Sequence, residues 1–294
     1  MLMYLAPSRI RLEGGLWTFV SAQGYEPDFT RIVKSSHHGD AMKILLANDD
    51  GIQAVGLRAL YFALVEAGHD VRVVAPVTEQ SAVGHAVTLS MPLRVKDFKE
   101  DGFRGQGVYG TPVDCVKLAL STLLETPPDL VLSGINAGAN VGVDILYSGT
   151  VSAATEGALM ELPSMAVSMD DFNPVDLSGQ AGYCAELLDR IPWSELPTKC
   201  VMNLNFPSCP MDQAGELVLC PHTRASYRDW YDTREDPRGR PYYWLNGAIP
   251  PERISSDRDR ALLTKGHITL TPLHFDFTDR EAMEVLARNM PGPR

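Results

Sequence analysis

Two adjacent carboxylates, Asp49 and Asp50, follow the run Met42-Lys43-Ile44-Leu45-Leu46-Ala47-Asn48 and precede Gly51. Neighbouring carboxylates repel each other, and desolvating both together is costly. A divalent cation removes both penalties, and hard cations such as Mg²⁺ and Mn²⁺ prefer oxygen ligands. Two more oxygen-bearing side chains follow other apolar runs: Ser81 beyond the valine-rich segment closed by Pro76, and Asn136 beyond residues 130–132. These residue types imply a site for one divalent cation built from Asp49, Asp50, Ser81 and Asn136, with Asp49 and Asp50 as its catalytic carboxylates. The chemistry on offer is hydrolysis of a phosphate monoester by metal-activated water. A covalent aspartyl-phosphate is the rival route, because Asp can also act as a nucleophile.

A phosphate also needs donors. The glycine-rich stretch 134–142 has neither the dinucleotide-binding spacing nor the Walker lysine, but its backbone N–H groups can approach an anion. Ser148-Gly149-Thr150 precedes a helical segment, whose free N–H groups and dipole favour a phosphate. Asn140, Ser148, Gly149 and Thr150 are the candidate phosphate or substrate contacts, with Asp144 on the same side. The plain alternative for Ser148 and Thr150 is an ordinary helix cap. His85 is a weaker candidate, as proton donor to the leaving group. Asp114 reads as a charge at a helix N-terminus and Cys115 as core. His274 and Asp276 lack the spacing of a convincing metal site.

Positioning these residues requires strands that end together. The run 43–47 reads as a buried strand, 56–67 as an amphipathic helix ended by Gly68, and 69–75 as a second strand. Strand character follows over 87–95 and 106–109. Thr111 is the expected N-cap of a helix reaching about residue 124, with Pro112 at its first position. Strand 130–132, helix 151–160, strand 162–167, helix 177–190 and strand 200–205 continue the alternation. The carboxyl ends of parallel strands share one edge of a sheet, where open α/β folds bind ligands. From residue 216 the pattern changes to a strand at 217–219 and an arm at about 220–247. The arm's aromatic segments flank a Pro/Gly/charged turn and read as a protruding β-hairpin. A polar loop over 255–260, a strand over 267–270 and a terminal helix over about 279–289 complete the chain.

Residues 1–41 hold no sustained period. They read as a poorly ordered extension or an upstream start-codon assignment, with a short hairpin near 17–21 as the second reading. His37 and His38 sit in a polar linker, where adjacent histidines are usually solvated. The remaining 42–294 is long enough for one α/β domain with an excursion. A net charge of −11, from 37 acidic against 26 basic residues, argues against a DNA or RNA duplex as partner. The five cysteines form no CxxC pair, so a disulfide framework is not expected. No apolar run is long enough to span a bilayer and no secretory leader is evident, so the cytoplasm is the expected compartment.

Read in order, several motifs resemble the SurE family of survival-protein phosphatases. They are Ile44-Leu45-Leu46-Ala47-Asn48-Asp49-Asp50-Gly51, Val74-Ala75-Pro76 with Gln80-Ser81, Gly110-Thr111-Pro112-Val113-Asp114-Cys115-Val116, Ser133-Gly134-Ile135-Asn136-Ala137-Gly138, Tyr147-Ser148-Gly149-Thr150, and Ile268-Thr269-Leu270-Thr271-Pro272-Leu273. The resemblance runs from about residue 42 to the terminal helix. It implies a three-layer α/β/α, Rossmann-like sheet with a hairpin arm and a C-terminal helix. It implies hydrolysis of nucleoside 5'- and 3'-monophosphates, and of short polyphosphate by some members. One Mn²⁺ or Mg²⁺ per subunit would be held by Asp49, Asp50, Ser81 and Asn136, in a homodimer or homotetramer that exchanges the arm and terminal helix. It also favours direct attack by water over a covalent intermediate. Residues 1–41 match nothing in the family pattern, and Val113 stands where the family often has threonine. The competing readings are a non-catalytic nucleotide-binding regulatory module and a scaffold assembled through the arm.

Overall fold

The computed structural model describes residues 9–11, 17–19 and 41–290. The chain divides into two compact units, residues 1–35 and 36–294. In the first, β1 (Arg9–Arg11) pairs antiparallel with β2 (Trp17–Phe19). The second reading of this segment puts a whole hairpin near 17–21; the structure places one strand there and its partner at Arg9–Arg11. His37 and His38 lie outside the described residues.

The second unit runs β3 (Lys43–Ala47), α1 (Val55–Glu66), β4 (Asp70–Pro76), β5 (Val95–Glu100), β6 (Phe103–Val108), α2 (Pro112–Leu118), β7 (Leu130–Ala137), α3 (Gly149–Leu159) and β8 (Ser164–Met169). It continues through α4 (Ser178–Leu188), β9 (Cys200–Phe206), β10 (Leu217–Leu219), β11 (Arg228–Glu235), β12 (Pro241–Ala248), α5 (Asp259–Thr264), β13 (Ile268–His274) and α6 (Arg280–Asn289). One nine-stranded sheet has the order β10-β13-β9-β8-β7-β3-β4-β6-β5. Neighbours are parallel except β5 with β6 and β9 with β13.

β3 shows why the sheet is sandwiched. Ile44, Leu45, Leu46 and Ala47 are all fully buried, although successive strand side chains point to opposite faces. Ile44 and Leu46 pack with Leu57, Leu60 and Leu64 of α1 and Cys184 and Leu188 of α4. Leu45 and Ala47 pack with Cys115 and Val116 of α2 and Ala153 of α3. The helices therefore cover both faces, giving a three-layer α/β/α arrangement. Burying a leucine side chain stabilises by about 1.5–3 kcal/mol, so this double layer is a major source of fold energy.

The chain order reverses beside β3. The unit β3-α1-β4 proceeds to one side, and β7-α3-β8 proceeds to the other. In an open sheet this switch point leaves a crevice at the strand carboxyl ends.

Several elements differ from the sequence reading. Residues 87–94 form no strand. Side-chain bonds hold that backbone instead: Asp114 accepts from the Thr88 N–H (2.9 Å) and hydroxyl (2.6 Å), and the Thr111 hydroxyl donates to the Ala86 carbonyl (2.7 Å). α2 has the expected Thr111 cap, here a reciprocal capping box with Asp114, but it ends in a π-helical turn at Ala119–Leu123. The polar stretch 255–260 contains the start of α5, because the fully buried Asp259 carboxylate accepts four donors and is satisfied there. β13 runs on through Pro272, which the sheet tolerates because β10 pairs only with Ile268, Thr269 and Leu270.

The arm is as expected, with eight residue pairs joining β11 and β12. Trp230, Tyr231, Tyr243 and Trp244 are exposed on it. α6 buries none of its residues, although Met283, Val285 and Leu286 give it an apolar side. Among the described residues no helix is long and apolar enough to cross a membrane.

Candidate active site

A cleft of about 670 Å³ opens at the β3/β7 switch point, lined by Asp49, Asp50, Glu79, Ser81, Asn136, Asn140 and Ser148 among others. Residues far apart in sequence meet there because their strands end together. Gly51, at φ +99°, turns the chain out of β3, and the Asn48 amide closes that turn on the Gly51 carbonyl at 2.9 Å. The Ile52 N–H donates to Pro76 (2.8 Å) and the Gln80 N–H to the Asp49 carbonyl (2.8 Å). These bonds fix the Ser81 loop beside the carboxylates. The Ser81 hydroxyl donates to Glu79 at 2.6 Å.

Asn136 arrives differently from the sequence expectation. It belongs to the penultimate position of β7 rather than to a loop. Gly134 and Ile135 form a bulge opposite Val167, where the register with β8 shifts. Gly134 has φ +138°, and a Cβ there would lie 2.3 Å from the Val167 carbonyl oxygen. Glycine thus fits a bulge inside the sheet, where its presence in sequence suggests the strand's end. Such bulges re-aim the side chains beyond them. The Asn136 Nδ2 donates to the Gly138 carbonyl at 2.6 Å, and Oδ1 has no protein donor among the described residues.

The two carboxylates are held from opposite sides. The Ala137 N–H donates to Asp50 at 2.9 Å. The fully buried Thr150 hydroxyl donates to Asp49. Helix α3 starts against that group: a Cβ on Gly149 would stand 2.7 Å from the Asp49 Cβ. Burial raises the Asp49 carboxyl above its ordinary value, opposed by bonds from Thr150 and Gly149. Burial likewise pushes Asp50 up to about 6, with the Ala137 bond opposing and the charges of Asp49 and Glu79 adding.

These residues fit a hard cation. Both carboxylates are desolvated, and among the described residues neither forms an ion pair with a Lys, Arg or His. Among the described residues no three His, Cys, Asp or Glu side chains converge closely enough to hold a metal ion by themselves. The two carboxylates share the cleft with the neutral oxygens of Ser81 and Asn136, and a donor set of that kind would suit such an ion.

The proposed phosphate contacts divide. Asn140 and Ser148 line the cleft, whereas Gly149 and Thr150 do not. The Ser148 hydroxyl caps α3 by accepting from the Val151 N–H at 3.0 Å, and Thr150 is spent on Asp49. Asn140 is fixed to β8 and β9 through Ser168 and Asn205 at 2.8 Å each. His85 does not line this cleft; its Nε2 lies 2.9 Å from Glu156. His274 and Asp276 line a different cavity. Cys115 is fully buried, and burial holds its thiol well above the ordinary range.

The profile of the family described as Survival protein SurE matches residues 44–229. The chain belongs to the SurE family. The 5'-nucleotidase SurE of Maridesulfovibrio salexigens is 71% identical over 248 residues, covering 84% of this chain and 99% of that protein. The 5'-nucleotidase SurE of Nitratidesulfovibrio vulgaris (strain Miyazaki F) is 67% identical, covering 84% and 92%. The crystal structure of the SurE protein from Aquifex aeolicus superposes with a TM-score of 0.73 at 34% identity, covering 84% of this chain and 98% of that one. The three-layer α/β/α architecture is thus the SurE fold.

Sequence reasoning missed part of this SurE cleft. Glu79, Phe172, Asn173, Pro174 and Tyr227 also line it. Arg260 of α5 ion-pairs with cleft-lining Asp144 and donates to the Val141 carbonyl at 3.1 Å. The adjacent Asp259-Arg260 pair in a polar stretch is the one local signal for this anchor.

Proposed function

We propose that this chain is a metal-dependent 5'-nucleotidase that hydrolyses nucleoside 5'-monophosphates to nucleoside and phosphate. Hydrolysis of 3'-monophosphates and short polyphosphate is part of the same reading. The observation that carries it is the desolvated Asp49–Asp50 pair, without a cationic side chain among the described residues, at the switch point of a SurE fold. The names of the relatives add the substrate class.

Asp49, Asp50, Ser81 and Asn136 would hold one Mn²⁺ or Mg²⁺. That ion supplies charge neutralisation at the phosphoryl group and lowers the pKa of water. Thr150 and the Ala137 N–H keep the two carboxylates in place, so little rearrangement is needed on binding. Asn140 and Ser148 offer polar groups along the phosphate's side of the cleft. In this reading residues 42–294 are the catalytic unit and residues 1–41 an addition to it. The aromatic arm and α6 expose apolar surface suited to pairing with further copies, giving a dimer or tetramer.

The test is phosphate release from a panel of nucleoside 5'- and 3'-monophosphates and short polyphosphate, after chelation and after adding back Mn²⁺ or Mg²⁺. Activity lost with the chelator and regained with the ion supports the reading. Full activity in excess chelator refutes the metal requirement. Chain beginning at Met42 should retain turnover, and light scattering should give two or four copies.

A further inference from the structure

We infer that Phe172 is the platform on which the substrate's nucleobase stacks, and so determines preference for nucleotides over other phosphate esters. This rests on the phosphomonoesterase reading of the cleft.

Phe172 follows β8 and is 79% exposed, so it contributes little to the core. It is nevertheless placed closely. A Cβ on Gly138 would lie 2.8 Å from its Cε1, so the ring packs against the bare side of that glycine. The Gly138 carbonyl in turn accepts the 2.6 Å bond from Asn136, one of the proposed cation ligands. The aromatic ring is thereby tied through a single residue to the place where the phosphate is held. Tyr147, Tyr227, Asn173 and Pro174 line the same cleft. An ester seated on the carboxylates must lead its leaving group along this cleft. A flat base there meets an exposed ring of matching shape.

Stacking suits this task because every base has a π-face, and removal of an aromatic platform weakens base binding by roughly five- to a hundredfold. The test compares kcat/KM for adenosine 5'-monophosphate with that for ribose 5-phosphate, which lacks the base. Phe172→Ala should lower that ratio by roughly five- to a hundredfold, mainly through a higher KM for the nucleotide. Phe172→Trp should keep or raise it. Calorimetry should show weaker binding of free adenosine to Phe172→Ala than to the wild type. An unchanged ratio in Phe172→Ala overturns the inference. So does an equal loss in Phe172→Trp, which would point to a merely structural role. If the metal-loaded wild type hydrolyses neither ester, the phosphomonoesterase reading itself fails. If it hydrolyses both without discrimination, only the platform fails.

Discussion

Asp49 of the cleft and Glu156 are both shielded from solvent and reach opposite electrostatic ends. Asp49 is 4% exposed and Glu156 only 2%. Burial raises the carboxyl in both places. Glu156 then receives Lys117 at 2.5 Å and His85 at 2.9 Å, and these bonds and charges hold it below its ordinary value. Asp114 behaves similarly: burial raises it, and the Thr88 and Thr111 bonds bring it below the ordinary value. Asp49 and Asp50 have hydrogen bonds but no cation, and both stay raised. A buried carboxylate that the protein satisfies serves the fold. A pair left short of positive charge is one that the proposed cation would complete.

The contrast can be broken by substitution. Asp49→Asn or Asp50→Asn should cut turnover more than roughly a hundredfold, since even residues that only support metal ligands cost ten- to a hundredfold. The fold should survive, because burial already disfavours the charge; far-UV circular dichroism and the urea midpoint check this. In the metal-free protein, Asp50→Asn should match or exceed wild-type stability at pH 8. Glu156→Ala should do the reverse in stability, costing about 1–3 kcal/mol by urea unfolding. Lys117 is 44% exposed and can rehydrate, which limits the loss. Thr111→Ala removes half of the capping box and should cost about 1 kcal/mol, with no change in KM.

The pH dependence sharpens the contrast most gently. Glu156 and Asp114 have folded values below their unfolded ones, so their contribution is present above the ordinary carboxylate range and fades as pH falls through their folded values. Asp50 has the opposite sign. Without metal, its contribution is most favourable below its ordinary value and is lost as pH rises to about 6 and beyond. Urea midpoints of metal-free wild type and Asp50→Asn should therefore separate between pH 4 and pH 8, with the wild type losing ground as pH rises.

The sequence made the sheet legible where chemistry forces one reading. Ile44 to Ala47 are apolar at every position, which suits a strand covered on both faces, and Thr111-Pro112 announces its helix. The four candidate ligands line one cleft because their elements end at one edge. Gly134 misleads because its lack of a side chain serves a bulge inside β7 rather than a break. Thr150 reads as a phosphate donor, but only the packing of α3 on β7 and β8 turns its hydroxyl to Asp49. α5 is hidden because its start is stabilised by contacts to Gly142 and Thr223, remote in sequence. Phe172 gives no local sign of the role proposed for it, since an isolated aromatic beside two aspartates has no period and no motif.

The most direct test of the cation site is titration of Mn²⁺ into metal-free protein, with the free ion read by electron paramagnetic resonance. The account predicts a single saturable site per chain, retained in Glu156→Ala and Thr111→Ala and lost in Asp50→Asn. Equal Mn²⁺ binding by Asp50→Asn and the wild type, or no saturable site in the wild type, would contradict it.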